Sequence, residues 1–411
     1  MLLAKVLARL LSEGQLTIFD AAGRPHRVEG SRKGPSVTIR IHDWWTGVKV
    51  ALRPRLAVGE AYMDGTLTVE EGDIYDFLDL LGRNMAAIDS VAPMRWSFGW
   101  QRLIRALLQY NPIGRAQRNV AHHYDLNDRL YDSFLDQDRQ YSCAYFLSPN
   151  DTLEQAQQNK KRHIASKLLL QPGMRVLDIG SGWGGMGVYL GREFGADVTG
   201  VTLSKEQHVF SSRRALEDGL ADRVRFKLLD YRQEPGLYDR IVSVGMFEHV
   251  GAAHYVEYFT KAKALLKDDG VMLLHAVGRM EPPGGTNVWL RKYIFPGGYS
   301  PALSEVLAAV EKVGLYVTDV EILRLHYAET LRHWRQRFLA NCDGVKQMAG
   351  YDDRFCRMWE FYLAGCEISF RYMSQMVFQL QVARRQDAVP LTRDYIVDAE
   401  RGGMARSFAA E

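Results

Sequence analysis

Short apolar runs alternate with helix-spaced apolar stripes through the middle of the chain. Val176-Leu177-Asp178-Ile179 reads as a short buried strand that runs straight into Gly180-Ser181-Gly182-Trp183-Gly184-Gly185, and helical spacing resumes at Val188, Tyr189, Leu190 and Phe194. Four more strands follow the same logic, at 198–203, 224–230, 238–245 and 270–278, with helical patterns around 205–219 and 254–267. Strands alternating with helices predict a Rossmann-like parallel sheet whose ligand lies at the carboxyl ends of the strands. Those ends carry Gly180, Thr202, Asp230, the run Gly245-Met246-Phe247-Glu248-His249, and His275.

Upstream the pattern changes. Leu16-Thr17-Ile18-Phe19-Asp20 and Val37-Thr38-Ile39-Arg40-Ile41 alternate like half-buried strands, and helical patterns extend from about Leu56 to Leu81. The Pro-containing stretch Tyr110-Asn111-Pro112-Ile113-Gly114 marks a boundary, giving a smaller N-terminal α+β domain over 1–114 and a catalytic domain over 115–397. The polar, Gly/Ala-rich residues 398–411 read as a flexible tail. Leu3, Val6, Leu7, Leu10 and Leu11 share one helical face, with Lys5 and Arg9 off it, so Met1–Leu11 reads as an amphipathic helix docked on its own domain rather than as a signal peptide.

Glycines after a strand allow close approach of a ligand and positive φ, and the free N–H groups of the next helix face that ligand. The loop satisfies G-x-G-x-x-G at Gly180, Gly182 and Gly185, which suits a dinucleotide or S-adenosylmethionine. A dinucleotide site wants an acid at the tip of the second strand. Here that strand ends in Thr202-Leu203-Ser204, which favours the methyl donor.

Eight blocks in order give the chain a specific resemblance. They are His123-Tyr124-Asp125-Leu126, Tyr141-Ser142-Cys143-Ala144-Tyr145-Phe146, the run Leu177 to Gly184, and Thr202-Leu203-Ser204-Lys205-Glu206-Gln207, followed by Met246 to Gly251, Leu273-Leu274-His275, Phe295-Pro296-Gly297-Gly298 and His326 to Leu331. Together these blocks resemble the cyclopropane-fatty-acyl-phospholipid synthase family, which includes the mycolic acid cyclopropane synthases. The resemblance implies a SAM-dependent methyltransferase fold with a seven-stranded, mostly parallel sheet. It also implies transfer of a methylene from S-adenosylmethionine to the cis double bond of an unsaturated phospholipid acyl chain.

The resemblance further implies site residues. Tyr141, Ser142, Gly180, Ser181, Gly182, Thr202, Leu203, Gln207, Asp230 and Tyr231 would hold the donor. Of these, Thr202 and Gln207 would take the ribose, and Asp230 with Tyr231 the adenine. A bound bicarbonate would serve as base, cradled by Cys143, Glu248, His275, Tyr327 and the backbone at Val277. Taken alone, Cys143 suits a small buried apolar residue or a covalent nucleophile, Glu248 the first turn of a helix, His275 a hydrogen-bonded strand end and Tyr327 a core ring. The alternative activity is a related lipid methyltransferase giving methyl-branched or methylene chains. A non-catalytic lipid-binding protein would have lost part of the cradle, and every part is present.

Composition adds exclusions. A net charge of +3 over 411 residues does not by itself call for a polyanion, and four cysteines without a C-x-x-C pair argue against zinc or a disulfide framework. No metal is expected. From Ser90 to Tyr124 there is no acid, and Arg95, Arg102, Arg105, Arg115 and Arg118 are interleaved with Trp96, Phe98 and Trp100. Such a stretch suits a membrane interface, a domain interface or nucleic acid. The resemblance selects the membrane and implies no nucleic acid, a homodimer, and a cytoplasmic enzyme held peripherally at the inner face of the membrane.

Overall fold

A computed structural model describes residues 2–85 and 128–408, with the side chains of 3–85 and 128–402. The boundary expected near 114, the block at 123–126 and the basic, Trp-rich stretch from Arg95 to Arg118 lie outside the described residues. Two compact units are present. One takes Met1–Arg105 with Gly284–Pro296 and Tyr327–Gln375; the other takes Ala106–Pro283 with Gly297–His326 and Met376–Glu411. The division at 114 and 115 assumed contiguous domains, whereas each unit here is assembled from separated segments.

In the first unit β1 (Glu13–Phe19), β2 (Pro25–Glu29), β3 (Arg32–Ile41) and β4 (Leu67–Glu71) form a sheet in the order β2-β1-β3-β4. The helical pattern expected from Leu56 to Leu81 is broken. Helices Pro54–Met63 and Ile74–Arg83 flank β4, with positive φ at Gly65 and Gly72 on either side of the strand. The sheet's apolar residues Leu16, Ile18, Val37, Ile39 and Ile41 pack with Phe77 and Leu80 of the second helix and with Ala364 of the helix Asp353–Tyr372. That long helix also carries Glu367, fully buried, which accepts from Arg335 at 3.2 Å and from Arg371 at 3.0 Å. Two guanidinium groups on one carboxylate are what permit such a charge to be buried.

The second unit holds a seven-stranded sheet in the order β10-β11-β9-β8-β5-β6-β7. Its strands are β5 (Arg175–Ile179), β6 (Asp197–Thr202), β7 (Val224–Leu228), β8 (Tyr238–Val244), β9 (Leu266–Arg279), β10 (Tyr316–Ile322) and β11 (Gln375–Ala383). From β7 to β9 the pairs are parallel, while β10 and β11 run antiparallel. Winding reverses between β5 and β8, where an open α/β sheet leaves a crevice beyond the carboxyl ends of its strands. Residues 398–408, read as tail from their composition, are instead part of the helix Asp394–Phe408. Ile396 is buried, Tyr395 Oη accepts from Gln381 at 2.8 Å, and Glu400 meets His163 Nδ1 at 2.5 Å. Among the described residues no helix is long and apolar enough to cross a membrane.

Candidate active site

The crevice at the switch point is real and has a built floor. Gly180 leaves β5 with φ +82°, and its N–H, like that of Ser181, donates to Val201 O at 3.0 Å, tying the loop to β6. A Cβ at Gly180 would lie 2.7 Å from Met246 Cβ, so only glycine lets the β5 and β8 loops come this close. Gly184 caps the helix Gly185–Phe194 in the left-handed region. The resulting cleft encloses about 1200 Å³, its open mouth included.

All ten residues expected at the donor line this cleft: Tyr141, Ser142, Gly180, Ser181, Gly182, Thr202, Leu203, Gln207, Asp230 and Tyr231. Buried polar atoms on its wall fit a polar ligand, since Asp178 Oδ2 and Ser181 Oγ have no hydrogen-bond partner. Burial raises the Asp178 carboxyl to about 7, against the pull of the Lys160 ammonium. Thr202 Oγ1 and Gln207 Oε1 are bonded to each other at 3.0 Å. Asp230 already carries a bidentate pair with Arg232, at 2.9 and 2.7 Å, so its carboxylate is oriented before any ligand arrives. Trp183 is buried and packs on Tyr131, 4.9 Å between ring centres, while also lining the cleft.

The residues expected around the base divide. Glu248, on a single 3-10 turn after β8, accepts from Val277 N–H at 2.6 Å through Oε1, and its buried Oε2 has no partner. His275 lies two residues before Val277 on β9, opposite Val244, and its carbonyl accepts from Gly245 N–H at 2.9 Å. The Gln379 amide sits 3.2 Å from His275 Nδ1, and His275 Nε2 is buried without a partner. Burial keeps His275 well below the usual imidazole range, so it is neutral. Burial also raises Glu248 to about 7, with the Val277 N–H pulling the other way. Cys143 is buried and donates to Ala144 O at 3.3 Å. Its neighbour Ser142 stands at the end of β8, where a Cβ on Gly245 would come within 3.9 Å of Ser142 Cβ. Tyr327 belongs to the other unit, where its ring meets Phe370 at 4.8 Å and Trp334 at 5.8 Å.

Residues outside the expected set also build the site. Arg139, Gln140, Arg232, His249 and His254 line the cleft. Burial alone lowers His249 to about 4, so it too is neutral. Lys160, fully buried on the helix Leu153–Leu168, donates to Gln140 Oε1 at 2.5 Å and Ser142 Oγ at 2.8 Å. Gln157 Nε2, one turn earlier, donates to the carbonyls of Gln140 and Ser142 at 3.1 and 3.0 Å. These bonds hold the segment that places Tyr141 on the cleft. Their signal in sequence is a polar stripe, Gln157, Lys160 and Lys167, at helical spacing on the face that also carries Ile164. Among the described residues no cluster of His, Cys, Asp and Glu is arranged to hold a metal ion.

Comparisons with known proteins place the chain in a family. A model of the family "Mycolic acid cyclopropane synthetase" matches residues 113–380. The chain is 42% identical over 347 residues to a probable fatty acid methyltransferase of Pseudomonas putida, covering 82% of this chain and 84% of that protein. It is 37% identical to the cyclopropane-fatty-acyl-phospholipid synthase of Escherichia coli K12, covering 80% and 83%. Among solved structures, the mycolic acid cyclopropane synthase CmaA1 complexed with SAH and CTAB superposes with a TM-score of 0.61 at 34% identity, covering 66% of this chain and 99% of that one. The chain belongs to the mycolic acid cyclopropane synthetase family and is a methyltransferase.

Proposed function

From that membership we propose that the protein is a cyclopropane-fatty-acyl-phospholipid synthase, acting on the cis double bond of unsaturated phospholipid chains. The observation that carries the reading is the group at the ends of β8 and β9. There the Glu248 carboxyl, on the turn after β8, is bonded to the Val277 N–H two residues beyond His275 on β9, and Glu248 Oε2 and His275 Nε2 are each buried without a partner. When bound, S-adenosylmethionine supplies an electrophilic methyl group, and bicarbonate supplies a base for the proton that this methyl must then lose.

The chain's own residues set the conditions for both. The glycine loop, Asp178 and Ser181 offer close backbone approach and free polar atoms to the donor. An alkene carbon that gains a methyl leaves its neighbour cationic, so water and strong nucleophiles must be kept away. Cys143 sits under cover as a thiol bonded to a carbonyl, and His275 and His249, held neutral by burial, add no positive charge that would oppose the cation. A bare Glu248 carboxylate would repel an anion, whereas its acid form, favoured by burial, donates a hydrogen bond.

A second reading is supported by the name of the Pseudomonas putida relative, a probable fatty acid methyltransferase. The two differ in product. Purified protein with the donor and unsaturated phospholipid should give acyl chains one CH2 heavier, with upfield ring protons by NMR. Vinyl protons of a methylene branch, or a product two hydrogens heavier still, would transfer the assignment to the second reading. Cys143→Ser should keep part of the activity, with no lipid adduct by intact mass. An adduct at Cys143 would make it a nucleophile and overturn the carbocation route.

A further inference from the structure

The helix Trp44–Leu52 of the first unit buries Thr46 and Val50 and leaves large apolar groups in solvent. Trp44 is 67% exposed, Trp45 65% and Leu52 71%, and the two indoles stand edge to face with centres 4.9 Å apart. Lys49 and Arg53 are exposed on the turns that follow Trp45, at helical spacing with it and with Leu52. From Trp44 to Gly59 the chain has no acid. The flanking acids are engaged: Asp43 caps the helix, accepting from Thr46 N and Oγ1 at 2.8 and 2.6 Å, and Glu60 binds Lys292 and Tyr293 at 2.6 and 2.8 Å.

We propose that this helix docks the protein on an anionic phospholipid bilayer, with Trp44 and Trp45 at headgroup depth and Lys49 and Arg53 on the phosphates. The inference rests on the lipid reading above and supplies the surface that reading needs, because an acyl double bond is reached only from the membrane. Indole rings with an apolar body and a polar N–H suit the headgroup layer, and cations beside them find their counter-charge there. A second copy of the chain fits this face poorly. An isologous contact would oppose Lys49 and Arg53 with the same cations, and the cores of protein interfaces are depleted of lysine. In the sequence this helix is separate from the stretch Arg95 to Arg118.

Co-sedimentation with phosphatidylglycerol and with phosphatidylcholine vesicles, at low and high salt, tests the assignment. Wild type should bind the anionic vesicles and release as salt rises, since the contact is electrostatic and exposed. Lys49→Glu with Arg53→Glu should weaken binding roughly 30-fold or more, the scale expected for two lost cation contacts. Trp44→Ser with Trp45→Ser should weaken binding to both vesicle types. Both variants should turn over detergent-dispersed phospholipid at the wild-type rate, because every changed side chain is exposed. Unchanged vesicle binding in both variants overturns the docking surface, as does loss of self-association in the tryptophan variant with vesicle binding intact. Wild-type protein that binds vesicles through the helix yet makes no product in detergent upholds the surface and removes the lipid-substrate reading instead.

Discussion

Replacing Glu248 with alanine should lower turnover roughly 10²-fold or more, the scale of a lost general acid–base contribution, with donor affinity near wild type. Glu248 lines no part of the donor cleft. Its Oε1 accepts from the Val277 N–H, and its second oxygen is buried and unpartnered. Losing it therefore leaves the Val277 N–H, two residues beyond His275 on β9, without its acceptor, while the glycine loop is untouched. The pH profile supplies a second readout. Burial raises the Glu248 carboxyl to about 7, so the acid form prevails below that pH and the carboxylate above it. If the acid form is the one that shares its site with an anion, turnover should fall as pH rises through this range. Glu248→Gln cannot ionise, so its lower rate should lack that limb. Turnover by Glu248→Ala within about threefold of wild type, or a loss confined to donor binding, would remove Glu248 from the base site.

The parts that were legible in sequence share a physical cause. Parallel strands covered on both faces read as near-continuous apolar runs, so β5, β6, β8 and β9 could be located from pattern, while the edge strand β7 alternates buried and exposed residues. Gly180, Thr202 and Asp230 meet on the cleft because the ends of such strands are adjacent in space by construction, whereas Tyr141 and Ser142 were expected there only from the resemblance. What pattern missed was long-range. The N-terminal sheet completes its core with a helix some 300 residues later, and nothing local to β1 or β3 calls for Ala364. The helical patterns expected from Leu56 to Leu81 form two helices, and the strand between them was missed: Gly65 and Gly72 take positive φ and free Leu67–Glu71 to pair with β3. Lys160 was hidden differently. A lysine on a polar stripe reads as solvated, and only the fold shows it buried against Gln140 and Ser142. Burial lowers its ammonium to about 8, partly restored by Asp136. The composition of the last residues likewise suggested a tail, yet the ring of His163 holds their helix through Glu400.

Gly180→Val should abolish measurable donor binding, by roughly 10²-fold or more, while the protein stays folded. Two costs add. At φ +82° a branched side chain is strained by about 1–3 kcal/mol, and its Cβ would start 2.7 Å from Met246 Cβ on the facing loop. Relief requires the β5 and β8 loops to part, which moves Ser181 and Met246, both on the wall of the cleft. Gly219 separates strain from displacement. It has φ +68° with nothing within 4 Å of its would-be Cβ, and it lies outside the cleft. Gly219→Ala should therefore cost about 1 kcal/mol of stability and leave donor affinity unchanged. Calorimetric titration with S-adenosylhomocysteine, beside thermal unfolding of each variant, checks the pair. Wild-type affinity in Gly180→Val would mean that the loops tolerate separation and that the donor is held elsewhere. Equal affinity losses in both variants would trace the effect to stability rather than to the approach of the two loops. The expected asymmetry arises because a glycine's missing side chain matters here as space: β5 and β8 meet at the switch point through an atom that is absent.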